Sequence, residues 1–540
     1  MIGRTWVGLA SFCAALTVGC AAWGAESGHG PVPAPTTVSV TGGKVMGAVA
    51  DGVLSFKGIP FAAPPVGANR WRPPQPVKAW TGVKRSTSYG PDCMQVPFPS
   101  DAAPLGTKPS EDCLYLNVWR PAETSRTPLP VMVWIYGGGF VNGGASPAVY
   151  DGSQFAKQGV ILVSFNYRVG RFGFFAFPAL TKEAKANNEP LGNYTYMDEI
   201  AALKWVQDNI KAFGGDPENV TIFGESAGGA SVLALLASPA ARGLFAKAIC
   251  ESGGGRGNLL GGRSLSEPGP NGQPSAEQVG VKLAESVGIE GTGPAALEHL
   301  RAVSAEKITN GLNMATMGQA GGTYVGGPIL DGQIVTTTIE QALNAGTAAK
   351  VPVMIGANSA DIGFGFAKTM DEALAPFGDK AAEARKAYDP DNTGDVRAVA
   401  SKVAMDKTMI EPARFVARMV EFHGRPAYVY RFSYVAKSMR DEWKTGAPHA
   451  SEIPYVFDTV KAKYGDKLAP EDEVIAQAAN TYWANFAKTG NPNGADLPTW
   501  PEMVPNGDSI MDFTTDGPKG EIDPWAKRLD LTAMTYKDKE

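Results

Sequence analysis

The chain has 540 residues, 44% hydrophobic and 19% charged, with a formal net charge of -5. That balance supports a sizeable core and gives no basic footprint for a nucleic acid. Neither an internal repeat nor a low-complexity linker divides the chain, so one large globular unit is the simplest organisation.

Arg4 precedes an apolar run from Trp6 to Cys20, and Ala21, Ala22, Gly24 and Ala25 follow as small residues. The run falls short of the roughly 20 residues a membrane span needs, and residues 1–25 read as a signal peptide cleaved between Ala22 and Ala25. A lipoprotein signal ending at Cys20 is the alternative, with Thr17 where such signals carry Leu. Residues 26–35, rich in Gly and Pro, form a flexible leader, and the mature chain is secreted or periplasmic. Export permits disulfides, and Cys93 and Cys113 enclose a Pro-rich loop that such a bridge would pin. Cys250, in an apolar segment, reads as a buried inert thiol. The absence of a CxxC cluster or a nearby His pair argues against a metal site.

Residues 36–57 alternate like antiparallel strands, with turns at Gly42-Gly43 and Asp51-Gly52. Residues 56–67 are too Pro-rich for regular structure and read as a surface-hugging segment. Strands follow at 111–119, 129–136 and 160–164, the last two nearly continuous in apolar residues, as strands covered on both faces are. Gly137-Gly138-Gly139 ends the second of them, and backbone N–H groups can approach an oxyanion there because no side chain intervenes. Helical spacing runs from Met197 to Ala212, a turn is expected at Gly214-Gly215-Asp216-Pro217, and a short strand spans 220–223. Gly224-Glu225-Ser226-Ala227-Gly228 comes next and opens a helix. This is the strand–turn–helix setting of a nucleophile elbow, and it makes Ser226 the candidate nucleophile.

Loops rich in Gly and Pro at 253–273, followed by helices near 275–287 and 295–303, read as an insertion over about 253–325 forming a lid or gorge wall. Strands at 351–356 and 427–432 and a helix over 473–488 complete the pattern. Strands separated by helices imply an α/β fold whose large, mostly parallel sheet is flanked by helices, with an antiparallel N-terminal extension. Residues 36–540 are then a single catalytic domain.

A serine hydroxyl needs a base within hydrogen-bond reach. Of the four histidines, His29 lies in the leader, His299 in a helical run as a surface residue, and His423 at a helix end. His449, in a loop after the strand at 427–432, remains, and the order Ser, acid, His favours it. Asp361, which leaves the strand at 351–356, is the candidate acid. Asp331 is the rival, although Asp331-Gly332 also reads as a turn.

These residues carry a resemblance. The stretch Phe213 to Gly228, the stretch Glu111 to Pro121 and the run Gly58 to Gly67 resemble the signatures of the type B carboxylesterases, the cholinesterase-like branch of the α/β-hydrolases. The likeness covers nearly the whole mature chain. It implies the α/β-hydrolase fold, a serine esterase needing no cofactor, and a triad of Ser226, Asp361 and His449, with Asp where many members carry Glu. It also implies an oxyanion hole from the amides of Gly138, Gly139 and Ala227, and a disulfide between Cys93 and Cys113. Asn193-Tyr-Thr-Tyr-Met-Asp198 departs from the family pattern. The loop between Cys93 and Cys113 lacks the Trp that cholinesterases use to hold a quaternary ammonium, which argues against a choline ester.

For the acyl side, Arg256 and Arg263 stand in a glycine-rich loop. Turned inward they would pair with a carboxylate-bearing acyl group. The signal peptide, the run Asn358-Ser-Ala-Asp361 and this basic loop are similar to secreted bacterial esterases of the fumonisin-esterase kind, which implies a tricarballylic ester as substrate. A generalist carboxylesterase or lipase on neutral esters, and a catalytically silent adhesion protein on the same fold, are the alternatives.

Overall fold

A segment that is apolar on both faces must pair its backbone along both edges to be buried, so the apolar runs become the centre of a sheet. The computed structural model describes residues 33–98, 102–257, 262–269 and 272–537. The expected signal peptide and most of the expected leader therefore lie outside the described residues. Among the described residues, eleven strands form the main sheet. In spatial order they are Gly517–Ile522, Ser509–Thr514, Ala427–Phe432, Val353–Asn358, Lys247–Glu251, Gly215–Glu225, Leu129–Ile135, Ile161–Phe165, Tyr115–Pro121, Val53–Pro60 and Ala48–Ala50. The seven from Ser509–Thr514 to Ile161–Phe165 are joined by parallel pairings, and both margins are antiparallel.

Helices cover this sheet. Ala227–Ala237 packs on the strands Gly215–Glu225 and Lys247–Glu251, Glu411–Phe422 on Val353–Asn358 and Ala427–Phe432, and Pro470–Thr489 on Leu129–Ile135 and Gly215–Glu225. Two aromatic clusters fill the layers. Trp134 has ring centroids of Phe223, Tyr150 and Phe457 at 4.8, 5.1 and 4.9 Å, and Trp483 packs with Tyr430 and Trp500 at 5.3 and 5.9 Å. Such pairs contribute about 0.5–1.5 kcal/mol each beyond the area they bury.

Several expectations change in detail. Residues 56–60 belong to the strand Val53–Pro60, because Pro60 is its last residue and lies beyond the stretch that Ala48–Ala50 covers, so the missing N–H costs no ladder bond. The turn expected at 214–217 shrinks to Gly214, with φ +81, since the strand already begins at Gly215 and pairs with Leu129. At the end of the expected flexible leader, Pro33 bridges Glu123 and the Ala34 N–H donates to the Ala122 carbonyl. The antiparallel pair Ser509–Thr514 and Gly517–Ile522 was not anticipated. In the region read as an insertion, helices span Ala276–Ser286 and Pro294–Ala302. Cys93 and Cys113 form a disulfide, and Cys250 is a buried free thiol. Among the described residues, no helix is long and apolar enough to cross a membrane.

Candidate active site

The chemistry gathers where the parallel strands end, because loops leaving neighbouring parallel strands emerge on the same side of the sheet. Ser226 follows the strand Gly215–Glu225 and N-caps the helix Ala227–Ala237, with φ 57 and ψ -121. That conformation is costly for a side chain-bearing residue. Hydrogen bonds hold it on both sides. The Ser226 N–H donates to the Glu251 carbonyl at 2.9 Å, and its carbonyl accepts from the Ala230 N–H at 2.8 Å. Flanking glycines permit the tight turn, since a Cβ on Gly228 would stand 1.9 Å from the Ile135 carbonyl oxygen and one on Gly224 2.6 Å from it. Ser226 itself remains half-buried while its neighbours are buried.

The glycine triplet after Leu129–Ile135 runs alongside. A Cβ on Gly137 would lie 2.9 Å from the Ser226 Cβ, so this loop touches the elbow and tolerates no side chain there. Gly138 and Gly139 have φ of +114 and +60. Ala227 begins the helix, where an N–H has no acceptor within the helix itself.

Asp361 and His449 come together from loops more than eighty residues apart in sequence. His449 Nδ1 lies 2.6 Å from Asp361 Oδ1. The two loops are stitched by hydrogen bonds of backbone and side chain. The Ala360 N–H donates to the Ala447 carbonyl at 2.9 Å, the Ala447 N–H to Ser359 Oγ at 3.0 Å, and Asn358 Nδ2 to the Pro448 carbonyl at 2.7 Å. Asp361 also accepts from Ser252 Oγ at 2.7 Å and from the N–H groups of Asn358 and Ile362 at 2.9 and 2.7 Å. Burial works against its charge, but the His449 ring and these donors outweigh it and hold the carboxyl below the usual Asp range.

On its other edge, His449 Nε2 lies 3.1 Å from Glu225 Oε1, the carboxylate next to Ser226 in the chain. Nε2 makes no hydrogen bond in this conformation. Burial disfavours the imidazolium, yet Glu225 and Asp361 together overcome it and raise the ring above its ordinary range. Behind this pair lie two more buried carboxyls. Glu251 accepts from Trp483 Nε1 at 2.7 Å, and Glu452 accepts from Asn358 Nδ2 at 2.5 Å. Burial pushes each up to about 8, with neighbouring carboxylates adding to it. A nucleophile candidate, an imidazole oriented by a carboxylate and a side chain-free amide loop thus meet at one place, an arrangement suited to acyl transfer.

Glu225, Ser252 and Glu452 were not singled out from sequence, although Glu225 stands inside the elbow motif and Glu452 three positions after His449. Asp331, the rival acid, spends Oδ1 on the N–H groups of Gln333, Ile334 and Val335 at 3.0, 2.9 and 2.9 Å, which is a turn. His299 is exposed in a helix, and His423 caps a helix with Nε2 2.7 Å from the Leu343 carbonyl. The two arginines lie apart from this constellation in their contacts. Arg256 grips Glu411 through Nε at 2.8 Å and Nη2 at 2.5 Å, and packs between Phe415 and Tyr536. Arg263 donates to the carbonyls of Val325 and Pro274 at 3.0 and 2.6 Å. The anionic-acyl expectation therefore meets a fork already occupied by a protein carboxylate. Among the described residues, no group of three or more His, Cys, Asp or Glu side chains is placed to hold a metal ion.

The buried carboxyls generate a stability prediction. Folding raises Glu251 from its ordinary value to about 8, so its contribution is fully present below about pH 4.5 and is lost as pH rises through about 8. Glu251→Gln keeps the acceptor for Trp483 and removes the titration. Its melting temperature should gain on the parent's as pH is raised from about 4.5 to 8; melting curves that stay parallel over that window would contradict the assignment.

The pattern of the carboxylesterase family matches residues 34–522. The chain is 36% identical over 496 residues to the fumonisin B1 esterase of Sphingopyxis macrogoltabida, covering 89% of this chain and 86% of that protein. It is also 36% identical over 485 residues to the para-nitrobenzyl esterase of Bacillus subtilis (strain 168), covering 85% and 91%. A solved structure of a PNB esterase superposes with a TM-score of 0.77 at 31% identity, over 92% of this chain and 99% of that one. The sheet is thus that of an α/β-hydrolase, and the chain belongs to the carboxylesterase family, hydrolases of carboxylic esters.

Proposed function

We propose that Ser226 is the nucleophile, His449 the general base and acid, and Asp361 the group that orients and charges the imidazole, in an exported carboxylesterase. The observation that carries this reading is the Asp361–His449 contact at 2.6 Å, with the other edge of the ring at the elbow. Ser226 Oγ attacks the ester carbonyl carbon as its proton passes to His449 Nε2, which turns from Glu225 toward the hydroxyl. Such alignments often tighten only when substrate is bound. The tetrahedral oxyanion is received by the N–H groups of Gly138, Gly139 and Ala227. As it collapses, the carbon–oxygen bond to the alcohol breaks and His449 gives its proton to the departing oxygen. Water then attacks the acyl-Ser226 ester by the same route and frees the acid and the serine. Each aimed oxyanion donor supplies about 3 kcal/mol and positioned proton transfer about 10²–10⁴ in rate.

The disulfide between Cys93 and Cys113 fits an oxidising compartment, which supports export. The region over about 253–325 fits a wall above the sheet. As to substrate, neutral esters suit the site best, because both Arg256 and Arg263 are already bonded to protein acceptors. The likeness to the fumonisin B1 esterase favours a second reading, a polycarboxylic acyl group. That reading requires Arg256 to exchange Glu411 for the substrate's carboxylate.

Two outcomes test the assignment. A fluorophosphonate should label the parent stoichiometrically at Ser226, and Ser226→Ala should lose at least about 10³ in kcat on any ester the parent cleaves; labelling elsewhere, or a fully active Ala variant, refutes it. For pH, kcat/KM requires neutral His449. Because Glu225 and Asp361 raise that ring above about 6.5, activity should climb through a limb lying above about pH 6.5, and Glu225→Gln should move the limb toward acid. A limb that stays in place would show that Glu225 does not tune the base.

A further inference from the structure

Two methionines face the glycine loop at Gly139. A Cβ on Gly139 would stand 3.8 Å from both Met314 Cγ and Met317 Sδ. These residues are 37% and 36% exposed, yet hydrogen bonds tie the segment that carries them to its surroundings. Asn142, buried just after the glycine triplet, accepts from the Met314 N–H at 2.9 Å through Oδ1. Through Nδ2 it donates to Gln95 Oε1 at 3.1 Å and to the Val96 carbonyl at 2.8 Å, within the disulfide loop. The Met317 N–H donates to the Asn313 carbonyl at 2.8 Å. Val141, Leu312 and Tyr324 form a small buried cluster beneath. The backbone is therefore fixed against the oxyanion loop, and two unbranched, polarisable side chains remain uncovered beside it.

About a third of each methionine stays in water, where apolar surface gains little for the fold. Their flexible thioethers adapt to apolar partners of irregular shape, and neither brings a charge or a strong hydrogen-bonding group. We propose that Met314 and Met317 determine specificity, forming the wall that receives an aliphatic chain carried by the ester next to the oxyanion amides. The inference rests on the reading of Ser226 and the glycine loop given above. Each methylene buried there should raise kcat/KM about fourfold.

The test is a chain-length series with two arms, p-nitrophenyl esters from acetyl to octanoyl and acetate esters of alcohols of increasing length. The parent should favour longer chains in at least one arm. In the Met314→Ala, Met317→Ala double variant, the octanoyl-to-acetyl ratio of kcat/KM, or its counterpart in the alcohol arm, should fall about tenfold, mainly through KM. The Met314→Leu, Met317→Leu variant, which keeps volume and apolarity, should retain the ratio. A ratio unchanged in the Ala variant, with Ser226 still labelled by the fluorophosphonate, overturns the wall and leaves the esterase reading intact. A parent that cleaves no member of either series and takes no label overturns both.

Discussion

The site depends on one contact, the short hydrogen bond between a buried carboxylate and an imidazole from a distant loop, Asp361 to His449. A carboxylate that is taken from water must be repaid with donors. Asp361 has four: the ring, the Ser252 hydroxyl and two backbone N–H groups. Much of the surrounding structure exists to keep those donors in place. Ser252 sits at positive φ immediately after a central strand, Asn358 ends the next, and the hydrogen bond from the Ala360 N–H to the Ala447 carbonyl fixes the histidine loop to the acid loop. The charge then has a defined consequence. It favours a proton on His449, and Glu225 favours it further from the opposite edge.

The same economy of space governs the elbow. Strand, helix and glycine-triplet loop converge so closely that glycine is required at positions 137, 224 and 228. The positive φ of Ser226 is held by hydrogen bonds to Glu251 and Ala230, so local strain is stabilised by neighbouring elements. The sheet contributes direction, since the parallel strands deliver the glycine loop, Ser226, Ser252 and Asp361 to one end.

Much of this was legible in the sequence for a physical reason. A strand buried on both faces must be continuously apolar, so the runs ending at Gly137 and near Asn358 announced themselves. A tight strand-to-helix turn needs glycines around its serine, and Gly224 and Gly228 stand two positions to either side of Ser226. Histidine is scarce, with four in the chain, and His449, the candidate base, is the one that the structure places against Asp361. What the residues concealed was pairing. Nothing in the glycine-rich loop around Arg256 says that its guanidinium will meet Glu411, 155 positions away, and a lone Ser252 gives no sign that it will bond Asp361. The C-terminal strand pair was hidden because Gly517–Ile522 is an exposed edge with little apolar content. The strand through Pro60 was hidden because its one proline falls at its last residue, where the Pro-rich stretch that follows begins.

The most direct measurement is a double-mutant cycle on kcat/KM with Asp361→Ala and His449→Ala. Residues that act as one unit are strongly non-additive. If the carboxylate works only through the imidazole, the double variant should be no slower than His449→Ala alone. Losses that multiply would mean that the two groups act separately, and the account of this site as a single coupled constellation would be wrong.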